Sequence, residues 1–97
     1  MSHVPNNVEC ISSVGKRIHA IFDRFQATIR GVYFSHVHQE QFQVIRDIFE
    51  QKPIGVGFTV GSGTTFKGKN PSYNMVYLDK ETMLPVDFET FYLDLKK

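Results

Sequence analysis

The chain has 97 residues, 41% of them hydrophobic and 22% charged, with eleven basic side chains against ten acidic ones. That balance excludes disorder, collagen and a coiled coil. A formal charge of +1 gives no electrostatic case for nucleic acid or an anionic membrane. The apolar runs are too short for a spanning helix, and residues 1–30 lack the layout of a signal peptide. Cys10, the only cysteine, can make neither an internal disulfide nor a cysteine-based zinc site.

Residues 1–10, MSHVPNNVEC, are polar and carry Pro5 and two asparagines, which predicts a loop. Ile11, Val14, Ile18, Ile21, Phe22 and Phe25 then recur at spacings of three and four, the stripe of an amphipathic helix. Lys16, Arg17, Asp23 and Arg24 fall off that stripe and are expected in solvent. Gly31 marks the end of this unit.

Beyond Gly31 the period changes to that of strands. Val32 to Phe34 is a short β-type run, and Gln41 to Arg46 is a second, with Phe42 and Val44 on one face. Ile54 to Val60 is a third, suited to burial but thinned by glycines. Tyr73–Leu78 and Val86–Leu95 alternate and flank the turn sequence Asp79-Lys-Glu-Thr, the pattern of an antiparallel hairpin. The expected class is therefore mixed α/β (α+β), one N-terminal amphipathic helix followed by about five mostly antiparallel strands. A single helix cannot cover both faces of such a sheet, so covering layers are missing from the plan. An uncovered sheet is free to pair with a partner or with a second copy of itself.

Chemistry-bearing residues are sparse. His19 lies beside the helix stripe, where a partly exposed structural histidine is the default reading. His3, next to the initiator methionine, reads by itself as part of a frayed terminus. His36 and His38 follow the first strand in Ser35-His36-Val37-His38-Gln39. Such a pair can aim two imidazoles at one cavity or at two adjacent metals, or be two surface histidines. Gly63-Thr-Thr-Phe-Lys-Gly68-Lys69 matches seven positions of a phosphate-binding loop. The eighth is Asn70 rather than Ser or Thr, and Pro71 opposes the helix that must follow. A glycine-rich turn is the better account. Asp87 and Glu89 share a strand face, read here as solvated.

Read in order, these segments resemble the C-terminal stretch of the acid sphingomyelinase family of calcineurin-like metallophosphoesterases. Ser2-His3-Val4-Pro5 is similar to that family's Gly-His-Ile-Pro-Pro-Gly loop, and Tyr33-Phe34-Ser35-His36-Val37-His38 to its Phe-Phe-Gly-His-Thr-His. Phe25-Gln-Ala-Thr-Ile29 lies between these two. Gln41-Phe42-Gln43-Val44 resembles Glu-Phe-Glu-Val, Ser62-Gly63-Thr64-Thr65-Phe66 resembles Ser-Ala-Thr-Thr-Tyr, and Asn70-Pro71-Ser72-Tyr73 resembles Asn-Pro-Gly-Tyr. Glu89-Thr90-Phe91-Tyr92 is similar to the closing Glu-Thr-Tyr strand. Order and spacing, more than any one motif, carry the resemblance, which runs from Ser2 to Leu95.

The resemblance implies residues 1–97 as the C-terminal portion of a metallophosphoesterase-type β-sandwich, with no second domain. It implies a two-zinc phosphodiester hydrolase acting on sphingomyelin or a related phosphodiester, in an extracellular or lysosomal setting. Carried over by position, His3 and His36 ligate one metal and His38 the other. The family's remaining ligands, an Asp-x-His pair, a bridging Asp and an Asn, all precede the His-Ile-Pro segment and have no counterpart here. Ser35 and the pair Asn6-Asn7 stand where the family has glycine and Pro-Gly. Cys10 lies near a family cysteine whose disulfide partner is upstream. The chain is accordingly expected to be the last part of a larger catalytic domain and inactive alone; the alternative is a non-catalytic interaction or metal-binding module built on that fold.

Overall fold

Periodicity of three and four produces one α-helix, α1 (Ser12–Arg24), in the computed structural model, which describes residues 1–7 and 10–96. Val8 and Glu9, inside the expected N-terminal loop, and Lys97 lie outside the described residues. Five strands follow: β1 (Val32–Phe34), β2 (Gln41–Arg46), β3 (Pro53–Thr59), β4 (Ser72–Leu78) and β5 (Pro85–Tyr92). They form two small sheets, one of order β1-β3-β2 and one hairpin, β4-β5. β2 pairs antiparallel with β3, and β4 with β5, whereas β1 runs parallel to β3.

Side-chain alternation assigns the faces. The register places Val32, Phe34, Ile45 and Thr59 on one face of the three-stranded sheet. These four are buried, Phe34 most deeply at 3% exposure, and Phe22 of α1, Ile29 and Ile54 pack against them. Tyr33, Phe42 and Phe58 lie abreast on the opposite face. There Phe58 stacks on Tyr33 at 5.9 Å and on Phe88 of β5 at 5.0 Å, which brings the hairpin onto the sheet. Glu40 makes the polar half of that joint. Its Oε2 accepts from Thr90 Oγ1 at 2.6 Å and from Asn74 Nδ2 at 3.2 Å.

Several expectations are corrected by these contacts. Only Ile18 and Phe22 of the helix stripe are half-buried, while Ile11, Val14, Ile21 and Phe25 stay exposed. The helix is docked by its flank: His19 Nε2 donates to the Arg46 carbonyl at 2.5 Å, the structural role expected of that histidine. Asp23 is half-buried rather than solvated, because its carboxylate accepts the Ile48 N–H at 3.2 Å. β5 stops at Tyr92, three residues short of the expected end, because its partner β4 begins at Ser72. Past that point Leu93 N–H turns to the Pro71 carbonyl and Leu95 N–H to Asn70 Oδ1.

The fold exposes far more surface than its size requires. Its accessible area is 7298 Å². A folded monomer of this mass exposes about 5,700 Å², leaving an excess of about 1,600 Å². The radius of gyration, 14.8 Å, exceeds the roughly 12.5 Å of a compact chain of this length. A cleft of about 310 Å³, open to solvent, lies among Phe22, Ile29, Ile45, Ile54, Phe58 and Leu84. The lopsided plan read from the sequence thus appears in the structure as surface that no described element covers.

Candidate functional site

The N-terminal segment is held beside β1. Ser2 N–H donates to the Tyr33 carbonyl at 3.0 Å, and Ser35 N–H donates to the His3 carbonyl at 2.9 Å. Pro5 is buried, and Gln43 Nε2 donates to Asn6 Oδ1 at 3.2 Å. His3 is therefore anchored by backbone pairing, not frayed, and it meets the turn that follows β1. There His36 Nδ1 lies 3.2 Å from His3 Nε2, with the two rings edge to face at 5.1 Å.

That turn is built from strained backbone. His36 has φ 72° and His38 φ 58°, both in the left-handed region where a side chain costs about 1–2 kcal/mol. Glycine is the usual residue under that constraint. Ser35, which stands where the resembled family has glycine, is not among the residues of positive φ. Gln51, Lys67 and Met83 adopt the same sign of φ in other turns of the chain. Val37 N–H closes the turn on the Ser35 carbonyl at 2.9 Å, and Lys69 Nζ donates to the Val37 carbonyl at 3.1 Å.

His38 makes its ring contact elsewhere. Its ring meets Phe66 edge on at 5.8 Å, and its buried Nδ1 has no hydrogen-bond partner among the described residues. It borders a shallow, open depression lined also by Glu40, Lys69, Asn70, Thr90 and Tyr92. Glu40, Lys69 and Thr90 were not foreseen as site residues. No spacing rule links positions 32 to 50 residues apart, and only the docking of the hairpin brings them together. Residues Phe66–Gly68 form a single 3₁₀ turn with Lys67 at φ 58°, so the glycine-rich run makes a turn and not a phosphate-binding helix start.

Among the described residues, no group of three or more His, Cys, Asp or Glu side chains gathers closely enough to hold a metal. What the chain does present is a pair. Two nitrogens bound to one tetrahedral zinc at about 2.0–2.1 Å stand about 3.3–3.4 Å apart. The 3.2 Å between His3 Nε2 and His36 Nδ1 is close to that separation. The buried Nδ1 of His38 makes no hydrogen bond among the described residues. Cys10 is a half-buried free thiol.

Known proteins align with this chain from end to end. Sphingomyelin phosphodiesterase 1 of Caenorhabditis elegans is 33% identical over 102 residues, covering 100% of this chain and 18% of that protein. Sphingomyelin phosphodiesterase of Bos taurus is 29% identical over 100 residues, covering 98% of this chain and 16% of that protein. Sphingomyelin phosphodiesterase B of Dictyostelium discoideum is 25% identical over 105 residues, again covering 100% of this chain and 16% of the relative. No protein-family model matches the chain. The chain is thus similar to one segment of these sphingomyelin phosphodiesterases and spans less than a fifth of their length. No helix among the described residues is long and apolar enough to cross a membrane.

Proposed function

We propose that this chain forms one corner of a metal-dependent phosphodiester hydrolase of the sphingomyelin phosphodiesterase type. Its substrate is sphingomyelin, cleaved to ceramide and phosphocholine, or a related phosphodiester, in a lysosomal or extracellular setting. The observation that carries the reading is the His3–His36 pair, two imidazole nitrogens 3.2 Å apart, in a chain whose full length aligns with those enzymes. His3 and His36 hold one zinc ion, and His38 offers its ring to a second. Two zinc ions in such a site clamp a phosphodiester and acidify a water. The chain's own residues do the positioning. Backbone pairing of Ser2 and His3 with β1 fixes one ligand, and the left-handed turn at residues 36–38 carries the next two. Lys69 braces that turn through the Val37 carbonyl.

Three imidazoles cannot complete two metal sites, so the chain alone is expected to bind zinc at the His3–His36 pair and to hydrolyse nothing. Calorimetric titration with zinc, and cobalt substitution read by its visible spectrum, test this without an activity assay. His3→Ala and His36→Ala each abolish binding, while His19→Ala, whose ring is engaged with Arg46, leaves it intact. Zinc binding that survives both single substitutions would refute the assignment. So would phosphodiester cleavage by the isolated chain that is lost in His36→Ala.

A further inference from the structure

Asn6 is gripped from two sides. Its backbone carbonyl lies against Gly15, the buried glycine of α1, at the place a Cβ on that glycine would occupy. On the other side Gln43 of β2 donates its Nε2 to Asn6 Oδ1 at 3.2 Å. Gln43 is half-buried, and its register partner on β3 is Gly57. A Cβ on Gly57 would stand 3.1 Å from Gln43 Cγ and 3.2 Å from its Nε2, crowding the side chain that reaches Asn6. Glycines on two different elements thus leave room for the two halves of one contact. What that contact holds is the segment that carries His3.

We propose that Asn6 and Gln43 are positioning residues for the His3–His36 pair. Their bond keeps the N-terminal segment docked along β1 and so sets His3 Nε2 beside His36 Nδ1. The inference rests on the reading of that pair as a zinc site, and neither residue touches the metal. The remaining hold on the segment is light. Ser2 and His3 are exposed, and besides the His3–His36 contact they meet β1 and its turn through two backbone bonds. These run from Ser2 N–H to the Tyr33 carbonyl and from Ser35 N–H to the His3 carbonyl. Exposed backbone bonds with few apolar contacts define a segment that opens locally. A metal that needs both imidazoles binds only the docked form, so its apparent affinity scales with the docked fraction. Losing one side-chain hydrogen bond shifts such an equilibrium by about fivefold.

Gln43→Met keeps the length of the side chain and removes its donor, and Asn6→Ala removes the acceptor. The Ser35 amide reports on the bond to His3. In the full 97-residue chain without zinc, hydrogen exchange resolved by NMR should show that amide losing protection about fivefold in either variant. Zinc titrated by calorimetry should bind about fivefold more weakly to each. The double variant should be no worse than either single one, since the same bond is lost in all three. Gln41→Met, an exposed change on the same strand, should leave both readings alone. Unchanged zinc affinity in both single variants would overturn the inference, as would a double variant about twenty-fivefold weaker. Protection lost equally along β2 and β3 would also overturn it, by reducing the contact to general stability. A wild-type chain that binds no zinc would refute the zinc reading itself. The positioning of His3 would then stand if Ser35 loses protection in the variants and fall if it does not.

Discussion

Truncating Phe88 to alanine tests how the two sheets are joined. The hairpin reaches the three-stranded sheet through few contacts: the Phe58–Phe88 stack at 5.0 Å, the Glu40 carboxylate on Thr90 and Asn74, and one backbone bond from Ser72 N–H to the Ser62 carbonyl at 2.8 Å. Removing a fully buried phenylalanine costs about 3–5 kcal/mol. Phe88 is half-buried, so about 2 kcal/mol is the appropriate figure, part of it the loss of the ring stack. At 1.4 kcal/mol per factor of ten, that is about a thirtyfold rise in hairpin opening. Because so little else crosses the joint, the loss should stay local. Hydrogen exchange read by mass spectrometry should show residues 72–92 losing protection about thirtyfold, with β2 and β3 nearly unchanged. Equal loss in all five strands would refute the reasoning, since it would make the two sheets one cooperative unit. No loss at all would mean the aromatic stack does not hold them.

Gly15→Ala sets helix propensity against packing. A Cβ there falls on the backbone carbonyl of Asn6, which cannot yield as a side-chain tip would. Alanine gains about 1 kcal/mol as a helix former, and the overlap costs about 1–3 kcal/mol, so a lower urea midpoint is expected. Gly55→Ala, with nothing within 4 Å of its Cβ, is the control and should raise the midpoint by the equivalent of about 0.4–1 kcal/mol. Asp79 caps the hairpin turn: its Oδ1 accepts N–H bonds from Glu81 at 2.8 Å and Thr82 at 2.9 Å. Those bonds, the one from Thr82 foremost, hold its carboxyl below the ordinary 3.8. A carboxyl with a lowered folded pKa contributes stability above its unfolded value and loses it as pH falls through the folded one. Wild type should therefore lead Asp79→Asn at neutral pH and lose that lead in the acid range below 3.8, followed by the turn's amide shifts. An unchanging difference across the titration would rule out this role for the cap.

Much of this molecule is legible locally. Spacings of three and four from Ile11 to Phe25 predict α1, and the alternation of Tyr73–Leu78 and Val86–Leu95 around Asp79 predicts the hairpin, because both patterns depend only on neighbouring residues. The His36–His38 pair is visible as a motif for the same reason. Its surroundings are not. That His3 stands 3.2 Å from His36 depends on Ser2 and His3 pairing with Tyr33 and Ser35, a contact between positions more than thirty residues apart. The left-handed turn that carries His38, the depression it borders, and the Glu40 bridge between sheets arise from the same kind of long-range closure. A periodic pattern states which face of an element is apolar, but tertiary structure alone decides which faces find a cover. Here it covers Val32, Phe34 and Ile45 and leaves Tyr73, Met75 and Phe91 exposed, because one helix and a two-stranded hairpin have too little surface to bury both sides of what the sequence makes apolar.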